Sequence, residues 1–317
     1  MTDLVDPEVQ LFVDGVAAAY ARHPDVMTIP MDQGRAVVEE VRRPWREGGP
    51  VMADTAERMI DLQGGPLKIR VHRPTLEAGL PVLIYLHGGG FTFFSIDTHD
   101  RVMREYAARA GIAVIGVDYP LSPEAKFPLA LEQIAALVEW LADHGAELGI
   151  DPARLAIGGD SAGGNLSVAT ALLLRDRGRP DLLRGMLLNY PGLSPDKSDA
   201  AKARFGGDGA ILSASEADFF WNNYVRGPED SRNPLANVLI ADVSDLPPAI
   251  FIVAEIDLLA EQSPAMADRM IAAGGQASVH VYPGAVHGFI EAAAVSALAR
   301  KALQDAAEWL SAHLAAG

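Results

Sequence analysis

The stretch Arg154-Leu155-Ala156-Ile157-Gly158-Gly159-Asp160-Ser161-Ala162-Gly163-Gly164-Asn165 decides the fold. A short apolar run, RLAI, enters a glycine-rich turn, and a helix-forming run, NLSVATALLL, leaves it. Strand, tight turn and helix form the context in which G-x-S-x-G, here Gly159–Gly163, has chemical meaning. Such a turn holds its serine in strained backbone geometry with the hydroxyl exposed. Glycines two residues before and after are expected because strand and helix crowd the turn. The helix N-terminus adds oriented N–H groups. The plainer reading is a glycine-rich turn or a phosphate loop. The segment lacks the lysine of a P-loop and the spacing of a dinucleotide fingerprint.

Outward from this turn, short apolar runs alternate with helical periodicity, the mark of an α/β fold with a mainly parallel sheet. Strands are expected at Val82–Leu86, Ile112–Val117, Arg154–Ile157, Gly185–Asn189, Ala249–Val253 and Ser278–Tyr282. Met59–Leu62 and Leu67–Val71 flank Gln63-Gly64-Gly65-Pro66 and read as a hairpin opening the sheet. Asp6-Pro7 caps a first helix carrying Val9, Phe12, Val13, Val16 and Tyr20. Val37, Val38, Val41 and Trp45 mark a second, which Gly48-Gly49-Pro50 ends. Asp97 and Thr98 offer caps for a helix through Val102, Met103 and Tyr106. Further helices carry Leu131 to Leu141 and Leu298 to Leu310. Between about Leu193 and Asp245 the pattern breaks, with no convincing strand, and a long insertion of this kind is usually functional. The chain therefore divides into N-terminal cap helices (1–55), an α/β domain (56–193), a cap insertion (194–245) and the rest of the domain (246–317).

Composition narrows the function. Of 317 residues, 49% are hydrophobic and 21% charged, enough apolar mass for a large core. Twenty-six basic residues stand against 42 acidic ones, a net charge of −16, so nucleic acid and anionic lipid are not expected partners. The absence of cysteine excludes a thiol nucleophile, a disulfide scaffold and thiolate metal sites. MTDLVDPEVQ has neither a basic n-region nor an apolar h-region, and no run approaches ~18 apolar residues. A cytoplasmic protein is the resulting expectation.

His87-Gly88-Gly89-Gly90-Phe91 directly follows the strand Val82–Leu86. Consecutive glycines let backbone N–H groups approach a ligand, and acyl transfer needs such donors for the developing oxyanion. A serine nucleophile also needs a base, and the base an orienting acid, in the chain order Ser, Asp or Glu, His. Three histidines lie downstream of Ser161: His280 inside a strand, His313 at the end of the last helix, and His287 in a loop just past a strand. A base belongs at the carboxyl edge of a parallel sheet, where His287 falls. For the acid, Glu255 and Asp257 both sit near the end of AIFIV and, by strand alternation, share a direction. Asp160 is too close to Ser161 to orient the imidazole and reads as a brace for the turn.

As a set, HGGGF (His87–Phe91), DYPLSPE (Asp118–Glu124), GDSAGGN (Gly159–Asn165), LPPAIFIVAEID (Leu246–Asp257) and HGF (His287–Phe289) resemble the hormone-sensitive-lipase-like, bacterial family IV, esterases of the α/β-hydrolase superfamily. The likeness runs from about Pro81 to the C-terminus. It implies the α/β-hydrolase fold with a helical cap. It also implies Ser161 as nucleophile, His287 as base and Asp257 as acid, with an oxyanion hole from the amides of Gly89, Gly90 and Ala162. His87 is then a support for its loop, and no cofactor or metal is implied. The implied reaction is hydrolysis of a short- to medium-chain carboxylic ester. The triad serves an amidase, formamidase or deacetylase equally. A ligand receptor on a dead scaffold, as in the similar plant gibberellin receptors, lacks the base that His287 supplies here. A homodimer through the edge strand SVHVY is also an expectation of the resemblance.

Three features depart from the pattern. Pro120 stands where members often carry Arg, so an electrostatic brace is expected to be missing. Phe94 stands where Gly usually follows the HGGG region and, with Phe91 and Phe93, is expected to reshape the pocket. Leu258 and Glu261-Gln262 replace a Pro and an acidic pair. In the cap, Phe205, Phe219, Phe220, Trp221 and Tyr224 are candidates to line the site, against the plainer reading that each packs the cap's own core.

Overall fold

Strands that are apolar on both faces need cover on both sides. The computed structural model describes residues 4–207 and 210–315, and among them one eight-stranded sheet has that cover. The strands are β1 (Asp54–Leu62), β2 (Gly65–Arg73), β3 (Leu80–Leu86), β4 (Ala113–Asp118), β5 (Ile150–Asp160), β6 (Gly185–Asn189), β7 (Ala249–Ile256) and β8 (Ala277–Val286). They lie in the order β1-β2-β4-β3-β5-β6-β7-β8. The β1–β2 and β2–β4 pairs are antiparallel and the rest parallel. This is the expected α/β architecture.

The helices are α1 (Pro7–Tyr20), α2 (Met31–Arg46), α3 (Asp100–Ala110), α4 (Leu129–His144), α5 (Ala162–Asp176), α6 (Asp199–Phe205), α7 (Ala214–Tyr224), α8 (Gln262–Ala272) and α9 (Ala297–His313). Period-two alternation sorts each strand between two cores. Val82, Ile84 and Leu86 join Leu131, Ile134, Leu166 and Met266 from α4, α5 and α8. Leu83 and Tyr85 face the other way, toward Phe12, Met103, Tyr106, Leu303 and Ala306 from α1, α3 and α9. Fully burying one such side chain contributes about 1.5–3 kcal/mol.

Helix α1 starts as its sequence predicts: the Asp6 carboxylate accepts from the Glu8 and Val9 amides, both at 3.0 Å. Helix α3 does not. It begins at Asp100 after His99, without a side-chain cap. Asp97 is taken by Arg70, and the Thr98 hydroxyl donates to the Ser95 carbonyl. Both groups have closer partners than the helix end. Helix α8 has no clear signal in the sequence between its two strands, because Glu261, Gln262, Ser263 and Pro264 mask its start. Its buried residues Met266, Ala267 and Met270 keep helical spacing.

The 194–245 segment holds α6, α7 and short 3₁₀ turns, without a strand among its described residues. Ser213 and Glu216 form a capping box at the start of α7. From β3 the neighbouring strands are β4 on one side and β5 on the other. This reversal opens a crevice at their carboxyl ends.

Candidate active site

Strand register brings the distant residues together. Leu86 pairs with Gly159 in the β3–β5 register, so the loop after β3 lies beside the turn after β5. Ile256 pairs with Val286, so Asp257 and His287, each one residue further on, emerge side by side. On either side of Ser161 the backbone has no room for a side chain at Gly159 or Gly163. A Cβ on Gly159 would stand 2.1 Å from the Leu86 carbonyl oxygen, and one on Gly163 1.9 Å. That close backbone approach is the physical reason for both glycines. Ser161 sits at the apex with φ 52° and ψ −115°, a sparsely populated conformation costing about 1–3 kcal/mol. Its amide donates to the Asn189 carbonyl (2.9 Å), and its carbonyl accepts from the Gly192 amide (3.0 Å).

His287 Nε2 lies 3.0 Å from Ser161 Oγ, and its Nδ1 lies 2.7 Å from Asp257 Oδ2. With the proton on Nδ1 donated to Asp257, Nε2 is free to accept from the serine hydroxyl. Asp257 is buried, and its other oxygen accepts from the Leu259 amide at 2.9 Å. Burial pulls the His287 pKa down, but the charge and hydrogen bond of Asp257 outweigh it and the net shift is upward. Glu255 is not part of this arrangement. It is exposed and accepts from the Gly284 amide at 3.0 Å. His280 is exposed on β8, the edge strand, and His313 stacks on Trp309 at the end of α9.

The triple-glycine loop is held from below by Asp160. Oδ1 accepts from the Tyr85 hydroxyl (2.8 Å) and the Gly88 amide (3.1 Å), and Oδ2 lies 3.2 Å from His99 Nε2. Burial raises the Asp160 pKa, but the His99 charge and these bonds bring it below the ordinary value, and His99 is raised in turn. The brace therefore ties the elbow to β3, to the glycine loop and to the residue before α3, mostly through side chains. His87 stacks on Tyr119, whose hydroxyl donates to the His87 carbonyl at 2.6 Å. The amides of Gly89, Gly90 and Ala162 find no acceptor among the described residues. Ala162 opens α5, where N–H groups are unpaired by construction.

Gly89, Gly90, Ser161 and His287 share the wall of a cavity of about 330 Å³ with residues of α1, α2, α7 and the 210–212 segment. Phe93, Phe94 and Phe220 line it. Phe91 does not: it stacks on Tyr224 at 3.7 Å and meets Trp221 edge-on. Phe219 stacks on Phe93, and Phe205 borders a smaller cavity beside Asp257. So only part of the aromatic set reaches the main cavity, while Phe219, Trp221 and Tyr224 join the insertion to Phe91 and Phe93 of the glycine loop.

Near Pro120, an arginine from another element holds the 122–124 segment. Arg35 of α2 donates to both oxygens of Glu124 (3.1 and 2.7 Å), to the Ser122 carbonyl (2.8 Å) and to the Thr92 carbonyl (3.0 Å). Nothing local in the sequence signals it, since a helix arginine normally reads as solvated. Gln262 bonds the backbone of Leu193, Ser194 and Asp196, which anchors the entry of the insertion on α8. Among the described residues, no group of three or more His, Asp or Glu side chains is placed to hold a metal ion. No helix there is long and apolar enough to cross a membrane.

A model of the alpha/beta hydrolase fold matches residues 83–291. The chain belongs to the α/β-hydrolase fold family. Among these hydrolases it is 34% identical over 277 residues to the acetyl esterase of Salmonella choleraesuis, covering 86% of this chain and 84% of that one. An esterase from Pyrobaculum calidifontis superposes with a TM-score of 0.90 at 32% identity, over 98% of this chain and 100% of that one. A thermostable carboxylesterase from a metagenomic library gives a TM-score of 0.87 at 35% identity, over 91% and 99%. The α/β-hydrolase described here sits in the hormone-sensitive-lipase-like esterase branch that its motifs resemble.

Proposed function

We propose that the protein is a serine carboxylesterase that hydrolyses short- to medium-chain esters through an acyl-enzyme. The observation that carries this reading is the unbroken line from Asp257 through His287 to Ser161, with contacts of 2.7 and 3.0 Å. His287 takes the Ser161 proton as Oγ attacks the ester carbonyl. The amides of Gly89, Gly90 and Ala162 stabilise the tetrahedral oxyanion, each donor being worth roughly 3 kcal/mol of barrier. His287 then protonates the leaving alcohol. Water attacks the acyl-enzyme by the same route and returns free Ser161 and the acid. Asp257 holds the imidazole in the tautomer and orientation this needs.

Residues 1–55 and 194–245 act as the cap that closes the cavity, an assignment supported by the α1, α2 and α7 side chains in its wall. An ester is favoured over an amide because the relatives are esterases. A cavity of this size, at the low end of the usual ~300–1,000 Å³, favours a small acyl group. A series of p-nitrophenyl esters from acetate to palmitate tests this. The expected kcat/KM peaks between two and eight carbons and falls at least 100-fold by sixteen. A maximum at long chains contradicts it.

A further inference from the structure

One wall of the cavity holds charges whose hydrogen-bonding capacity is unmet. Arg42 of α2 and Glu291 both line it, together with Ser161 and His287. Their side chains are 7% and 5% exposed. They approach to 3.6 Å between Arg42 Nε and Glu291 Oε2, outside hydrogen-bonding range. Arg42 Nε and Nη1 and Glu291 Oε2 are buried without a hydrogen-bond partner among the described residues. The Tyr190 hydroxyl, from the same wall, is also unpartnered there. An ion pair taken out of water offsets its desolvation only with good geometry and further hydrogen bonds. This one lacks both.

The position links it to the reacting groups. The Arg42 guanidinium lies 4.9 Å from the centre of the Phe94 ring, and that ring borders Gly89. Glu291 follows His287 by four residues, and a Cβ on Gly288 would stand 3.4 Å from its Oε1. The charged pair thus flanks both the glycine amides and the imidazole. Its two halves ask for different things: the guanidinium for an acceptor, the carboxylate for a donor. An anionic ligand meets Glu291 and the chain's net −16, and a cationic one meets Arg42. A hydroxyl is neutral, small, and supplies an acceptor and a donor at one atom.

We propose that Arg42 and Glu291 form a recognition subsite for a hydroxyl group on the substrate, so that hydroxylated esters are the preferred class over plain alkyl esters. This rests on the esterase reading and deepens it. The competing explanation is that the pair only fastens α2 to the turn at 289–294. That role affects stability and leaves selectivity alone.

The test compares kcat/KM within matched pairs: p-nitrophenyl 3-hydroxybutanoate against butanoate, 6-hydroxyhexanoate against hexanoate, and 4-hydroxybutyl acetate against pentyl acetate. At least one hydroxy ester is expected to exceed its partner by roughly 10- to 100-fold, because a site built for a hydrogen bond rejects the analogue lacking it. In the double variant Arg42→Met/Glu291→Leu the ratio is expected to fall to about one or below. Arg42→Lys, which keeps the charge and loses the fork, is a gentler second variant with a several-fold smaller ratio. No advantage in any pair, or an advantage that persists in either folded variant at full size, overturns the subsite. Failure of the wild type on all six esters instead overturns the esterase reading, and the subsite with it.

Discussion

Replacing Ser161 with alanine is expected to lower kcat/KM for p-nitrophenyl butanoate by roughly 10⁵- to 10⁶-fold. The reason is that the remaining groups have nothing to activate. His287 Nε2, 3.0 Å from Oγ, has only water left to polarise, and no acyl-enzyme forms. A residual rate of roughly 10³–10⁴ over water is expected from the oxyanion donors and binding alone. The fold is expected to persist, with a thermal midpoint within a few degrees of wild type. Removing one hydroxyl empties no core position, and the Ser161 backbone bonds to Asn189 and Gly192 remain. A variant within tenfold of the wild type means that the hydroxyl is not the nucleophile.

Asp257→Asn is expected to cost about 10⁴-fold in kcat while leaving the geometry intact, because the amide favours the wrong imidazole tautomer. Its second signature is in the pH profile. A base must be neutral to accept a proton, so kcat/KM rises with pH as His287 loses its charge. Burial lowers the His287 pKa and Asp257 more than offsets it, so the acid limb is expected above the ordinary histidine value of ~6.5. Without the carboxylate charge, burial dominates and the limb moves to lower pH. The sign for stability runs the other way. The pair's contribution is fully present below the unfolded histidine value and is lost as pH rises through the folded one. An acid limb unmoved in the variant means that Asp257 does not act on His287.

The elbow, the glycine loop and the strands that lead into them are legible in the sequence because each is a local pattern with one physical meaning. Gly159 and Gly163 announce a backbone crossing, and the structure shows what crosses: the Leu86 carbonyl. The choice between Glu255 and Asp257 is not local. Alternation leaves both available, and the Gly284 amide on β8 claims Glu255. Helix α8 hides behind polar residues and a proline at its start. Arg35 and Arg42 are illegible for a stronger reason. Both lie on an N-terminal helix whose charges carry no sign of facing inward, and their partners Glu124 and Glu291 are 89 and 249 residues away.

The most direct measurement is covalent. A fluorophosphonate reacts with a serine only when its hydroxyl is activated and the phosphoryl oxygen is stabilised, the same two demands that ester hydrolysis makes. Intact mass and peptide mapping after reaction are expected to show one adduct, on the peptide carrying Ser161, with activity lost in step. The Ser161→Ala protein is expected to take no label. An unlabelled wild type, or an adduct that survives in Ser161→Ala, contradicts the account.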